Sequence, residues 1–330
     1  MLQIFKTNQV LASVLFLIYL VLFYGSFFTA PLPVASTTPG ILGQLVASGM
    51  ADWAAVYTQL ISLLLVFLQA VLLVLMINGN RINNESNLLP GVFYCLFASM
   101  IPEFMHPGPV LFGNTFLLMA LIEIMGIYKV PIVSGRLFNV GFWISVASLF
   151  YFSNIGLLLF AMWGTSTLRA YNLRDLITIL FGAFTPYFLT GTTFFMLDRI
   201  PEFWAVQFHQ NLGFFDFQTG QDGLFYLKTG VFVLLVIVVL LSSGNYFQKR
   251  IMQVQKKISL LYGFLLFSGL TFLFQSQVDI THWLIPAIPL AAFFSISFSA
   301  MPTQWAEVVH LLMLVGGLAL AYSPWYTGGL

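Results

Sequence analysis

Every histidine in this chain follows an acid at helical spacing. Glu103 precedes His106, Asp279 precedes His282 and Glu307 precedes His310 by three residues, and Glu202 precedes His209 by seven. A spacing of three puts both side chains on one helix face, where a carboxylate can orient an imidazole or share a metal with it. Gathered across loops, Glu103, His106, Asp198, Glu202, His209, Asp279 and His282 would offer oxygen and imidazole ligands of the kind that zinc, manganese or magnesium accept. The plainer alternative is a set of independent hydrogen-bonded pairs at a membrane surface. No dense ligand motif such as HExxH occurs, so the plainer alternative is preferred, no metal is assigned and the cofactor is left unknown.

Two cations and one further acid complete the candidates. Arg199 and Lys228 are the only basic residues that the topology below leaves outside. An anionic headgroup in the outer leaflet, such as a polyprenyl-phosphate sugar, would need such donors. Against this, Arg199 can pair with Asp198 or Glu202, and Lys228 can snorkel at the start of its helix. Asp52, the only acid of the first external segment, stands just before Trp53. It could act as a general base towards an acceptor hydroxyl, or be an interface residue with ordinary solvation.

The elements that carry these residues are membrane helices. Apolar residues fill 59% of the 330 positions and charged residues only 7%, against about 25% charged in a soluble domain. Such a chain cannot cover a water-facing surface. Its apolar runs are long and do not alternate, which selects helices of about 20 residues over barrel strands of about ten. The net charge of +1 gives no field to attract nucleic acid.

Eleven spans are expected, near 10–28, 55–77, 88–101, 110–128, 137–153, 155–168, 176–197, 226–243, 258–274, 283–298 and 305–322. The reading is an all-α, polytopic bundle forming one integral membrane domain over 1–330. The first span is read as uncleaved, because no small-residue cleavage site follows it. With the N-terminus cytoplasmic, Lys6, Arg81, Lys129, Arg136, Arg169, Arg174, Lys249, Arg250, Lys256 and Lys257 fall on cytoplasmic turns, and the C-terminus SPWYTGGL falls outside. That bias follows the retention of Lys and Arg in short cytoplasmic loops. The spans near 137–168 are short, and the pair around Ser153-Asn154 could form a re-entrant hairpin.

Four external segments then meet on one side: 29–54 with Pro31, Pro33 and Pro39, then 102–109, 198–223 and 275–283. Trp53, Trp204, Trp283 and Trp325 sit at or next to them, as an interfacial aromatic belt would place them. Ile-Pro-Glu-Phe occurs at 101–104 and again at 200–203. Within the spans, Gln69, Asn114, Glu123 and Asn139 are the costliest groups to bury, and the scarcity of buried carboxylates argues against a proton-coupled transporter. Prolines 186, 286 and 289 are expected to kink their helices, and Gly316-Gly317 to admit a close neighbour. Cys95, the single cysteine, reads as a small core residue. The basic turn 244–259 suits anionic lipid or a soluble partner.

The stretch LFNVGFWISVASLFYFSNIGLLLFAMWGTSTLRAYNLRDLITILFGAFTPYFL (137–189), with its Asn-x-Gly pair, Leu-Phe-Tyr run and Arg-Asp then Thr-Pro pattern, resembles a family of polytopic inner-membrane proteins from Bacteroidota known as a domain of unknown function. MLQIFKTNQ at the start and the IPEF segment with Asn114 downstream are similar too. This resemblance implies the bacterial inner membrane and a lineage rather than an activity. A helix, an external amphipathic segment and many short spans also resemble the membrane half of GT-C glycosyltransferases. That likeness implies action on lipid-linked sugars in envelope glycan biosynthesis, with Asp52 as base, Arg199 and Lys228 at the donor phosphate, and Glu103, His106, Glu202 and His209 at the cavity rim. Asp52 lacks an adjacent second acid, which departs from the GT-C pattern. The alternative is a non-catalytic subunit of a membrane complex, in protein export or envelope assembly, that meets its partners through 198–223 and 244–259. The expected partners are membrane lipids with either a polyprenyl-phosphate-linked sugar or other membrane-protein subunits.

Overall fold

The computed structural model describes residues 10–25, 38–213, 223–247, 250–274 and 279–323. Lys6, Pro31, Pro33, Lys249, Trp325 and the last seven residues lie outside that set. Among the described residues the chain is helical, with no strand. The main helices are α1 (Val10–Tyr24), α2 (Ile41–Gly49), α3 (Ala55–Gly79), α4 (Leu89–Ser99), α5 (Pro109–Met125), α6 (Ser134–Phe150), α7 (Leu157–Leu168), α8 (Leu173–Met196), α9 (Gly223–Leu241), α10 (Met252–Leu270), α11 (Leu284–Ala300) and α12 (Thr303–Ala321). Among the described residues, six apolar stretches are long enough to cross a bilayer: Ala55–Gly79, Leu173–Met196, Gly223–Leu241, Met252–Leu273, Ile280–Ala300 and Thr303–Ala321. Leu89–Ser99, Pro109–Met125 and Phe152–Leu168 are shorter apolar helices of the same bundle.

Local chemistry sets several helix ends. Pro90 and Pro109 occupy first-turn positions of α4 and α5, where the missing N–H has no intrahelical role. Asn172 caps α8 by accepting the Arg174 N–H. Asp198 takes a left-handed conformation, φ 54°, while its N–H bonds the Phe195 carbonyl and the Arg199 N–H bonds the Phe194 carbonyl. Those two bonds are a Schellman ending of α8, with an aspartate where glycine is usual.

All eleven residues of α4 are buried, as expected of a helix apolar on every side. It packs on α11, where Phe93 meets Phe298 at 4.6 Å and Phe97 meets Phe294 edge-on at 5.2 Å. At the rim, α8 turns Leu180, Phe181, Phe184 and Phe188 outward, each more than 45% exposed, as a lipid-facing stripe would be. Its other face crosses α6 at two glycines, with Gly141 over the Ile179 backbone and Gly182 over the Phe138 backbone. A Cβ at either glycine would collide with main chain, so the close helix approach occurs here. At the expected place, Gly316 faces open space and Gly317 meets only Phe23 and Met100 side chains. Pro186 lies inside a continuous α8. Pro286 sits in the first turn of α11, which lacks intrahelical N–H partners in any case.

The two ends of the bundle are tied separately. At one end, Lys257 Nζ donates to Asn80 Oδ1 at 2.6 Å, Arg169 donates to the Val130 carbonyl, and Lys129 and Lys256 both approach the Tyr128 ring. The turns after α3, α5 and α7 and the start of α10 therefore lie together, and they carry basic residues. At the other end, the Gly40 N–H bonds the Phe150 carbonyl at 2.7 Å and Ser153 Oγ bonds the Thr271 carbonyl at 2.5 Å. This second end holds the expected external candidates.

Candidate functional site

Glu103 stands on the 3₁₀ turn Pro102–Met105 that follows α4. Its Oε1 meets Lys228 Nζ of α9 at 2.5 Å, with the two side chains 16% and 7% exposed. Lys228 is therefore held inside the protein by a carboxylate and does not snorkel. His106 follows the same turn, and with Glu103, Leu111, Thr281 and Leu284 it borders a void of about 10 Å³, room for one water at most. Among the described residues, Glu103 Oε2 and Thr281 Oγ1 are buried there without a hydrogen-bond partner.

The second IPEF occurrence also places its glutamate against a cation. In the short helix Ile200–Trp204, Glu202 accepts two hydrogen bonds from Arg199, at 2.6 and 2.7 Å. This surface fork raises the arginine pKa, first through the hydrogen bonds and then through the charge of Glu202. His209, seven residues on, closes the π-turn Ala205–His209 and is exposed, with no bond to Glu202. Asp198 serves as the αL residue described above.

Asp279 and His282 take different partners. Asp279 caps its own turn by accepting the Ile280 N–H. His282 is fully buried, with Nδ1 against Tyr151 OH at 2.9 Å and Nε2 against Thr271 Oγ1 at 3.0 Å. Both ring nitrogens are occupied, so this imidazole is a structural crosslink between the turn Ile280–Trp283 before α11, the Tyr151 corner and the end of α10. His310 is a core residue that approaches Tyr19 OH at 3.5 Å and lies edge-on to Phe93. Among the described residues, no three His, Cys, Asp or Glu side chains gather as a metal site would require.

Asp52 is exposed and makes no ion pair or side-chain hydrogen bond among the described residues. It borders an open groove of about 550 Å³ with Trp53, Tyr57, Leu60 and Leu64, all from one turn and one helix. Arg199, Lys228, Glu103, His106, Glu202 and His209 are not among its walls. The seven expected residues thus occupy four places: Glu103, His106 and Lys228 together, Arg199 with Glu202, and His209 and Asp52 each apart.

Residues that the charge-based reading passed over hold this end together. Gln207 is fully buried in the π-turn; its Oε1 accepts the Ile41 N–H at 2.9 Å and its Nε2 donates to the Ser148 carbonyl at 3.0 Å and to Tyr187 OH at 3.3 Å. Asn211, also buried, accepts from Thr38 Oγ1 at 2.9 Å and donates to the Val206 carbonyl at 2.8 Å. Two uncharged amides four residues apart share a helical face, and that spacing was the available signal. They fasten the segments around 40 and 205 into a small second core of Ile41, Leu149, Phe194, Phe203 and Val206.

Deeper in the bundle the costly polar groups are mostly satisfied. Gln69 donates to the Leu111 carbonyl and Thr115 and accepts from Tyr94 OH, while Asn114 donates to the Leu284 carbonyl at 2.8 Å. Glu123, on a different face from Asn114, meets Asn139 at 3.1 Å and Arg136 at 3.4 Å. Comparison of the chain with protein-family models, with curated proteins and with solved structures finds no match.

Proposed function

We propose that this chain is an eleven-span inner-membrane protein, N-terminus cytoplasmic and C-terminus external, that serves as a non-catalytic subunit of a multi-protein complex in export or envelope assembly. The observation that carries the reading is that Glu103 with Lys228, and Arg199 with Glu202, neutralise one another. A donor-phosphate site needs cations free to meet the anion, and acid–base chemistry needs its groups around one cavity. Glu103 and Lys228 instead hold α9 to the turn after α4, and Arg199 and Glu202 close a single turn on itself. The test is purification of the tagged native protein in mild detergent, with mass spectrometry of proteins and lipids. A stoichiometric partner chain is the expected result, and a lone monomer with no co-purifying chain overturns the reading.

A second reading, a GT-C-like enzyme acting on polyprenyl-phosphate-linked sugars, is favoured by one observation. Asp52 stands exposed and unpaired, among the described residues, beside the apolar groove of Trp53 and Tyr57. In a null background, complementation with Asp52→Asn or Arg199→Ala separates the two. Unchanged envelope glycans in both variants remove the enzyme, whereas loss with Asp52→Asn alone favours it.

A further inference from the structure

At the basic end of the bundle, α7, α9 and α10 leave an open groove of about 560 Å³ between them. Its walls are largely apolar, with Trp163 from α7, Leu240 from α9 and Phe247 beyond it, and Leu266 and Phe267 from α10. Gly263 lets the Trp163 ring pack against α10, because the ring lies where any Cβ on that residue would be. Lys256 continues the same stripe of α10, since Gly263 and Phe267 lie seven and eleven residues on, close to two and three full turns.

The groove's own lining carries no charged residue, and the basic residues stand beyond its Phe247 and Ser259 end. Lys256 and Lys129 each place Nζ 5.6 Å from the centroid of the Tyr128 ring. Gln255 Nε2 donates to both the Phe247 and Arg250 carbonyls, which keeps the Arg250 backbone beside a groove wall. Among the described residues, none of Lys129, Arg250 and Lys256 forms an ion pair, whereas Arg136, Arg169, Arg199 and Lys228 all do. Arg250 is partly buried all the same, and burial lowers its pKa. A clustered, partly desolvated positive charge calls for an anion, and a half-exposed apolar groove in a bilayer calls for a hydrocarbon chain.

We propose that this groove binds one anionic glycerophospholipid, with an acyl chain against Trp163, Leu266 and Phe267 and the phosphate held by Lys129, Arg250 and Lys256. Three basic residues near a membrane surface give a preference for anionic over zwitterionic lipid on the order of a hundredfold. The proposal is independent of both readings of function above.

The experiment follows quenching of Trp163 by phosphatidylglycerol or phosphatidylcholine with brominated acyl chains, taking the Trp163 signal as the difference between the wild type and Trp163→Phe. Half-quenching is expected at roughly a hundredfold lower mole fraction of phosphatidylglycerol. The gap should narrow with added salt and close in the Arg250→Gln, Lys256→Gln double variant. Equal quenching by both lipids means ordinary annular contact and overturns the site. So does a gap that survives either the salt or the double substitution. Protection from both lipids by a co-purifying chain overturns it as well, since the occupant is then a protein. If the double variant does not fold, the salt titration on the wild type decides alone.

Discussion

Lys228 and Glu103 are 125 residues apart in sequence and meet at 2.5 Å, both largely shielded from solvent. This pair joins α9 to the turn after α4. Removing one partner of a buried ion pair leaves a bare charge and costs about 3–5 kcal/mol, whereas replacing both with apolar groups is often neutral.

Lys228→Met is therefore expected to lower stability by roughly 3–5 kcal/mol, and Glu103→Leu added to it should recover most of the loss. Unfolding in detergent mixtures, read by far-ultraviolet circular dichroism, checks this. Equal losses in the single and the double variant would show that the pair is not the source.

Asp198→Gly is expected to leave the fold intact and raise stability by about 1 kcal/mol, because the αL position at the end of α8 favours glycine. Asp198→Val should lower it. Thermal midpoints of the two variants give the answer, and a glycine variant that is less stable would mean that the carboxylate itself stabilises the fold.

Gly182→Ala forces a methyl group onto the Phe138 backbone. Overpacking of this kind costs about 1–3 kcal/mol. Gly316→Ala, facing open space, should have no comparable effect, and the pair of midpoints tests where the close helix crossing lies.

Gln207→Leu removes the acceptor of the Ile41 N–H and the donor to the Ser148 carbonyl. Each buried group left unpaired costs about 1–3 kcal/mol. The loss should be local. Hydrogen exchange is expected to speed up around residues 40–50 and 200–211 while α4 and α11 keep their protection. Uniform loss of protection would mean that the second core and the bundle unfold as one unit.

The sequence by itself determined the helices. Leu89–Ser99, Gly223–Leu241 and Thr303–Ala321 lie where the apolar runs place them, because lipid obliges every segment to satisfy its own backbone and so makes a span a local property. The Arg199 and Glu202 pair was legible for the same reason, being three residues apart on one turn. What only the tertiary structure decided was the partner of each long-range polar group. The helical spacing of Asp279 and His282 suggested a joint role, yet helix packing gave the imidazole to Tyr151 and Thr271. Glu103 likewise meets Lys228 across 125 residues, and Gln207 reaches Ile41 across 166 residues. Such pairings depend on which faces of distant helices touch, and in this bundle glycine contacts such as Gly141 and Gly182 help set those faces.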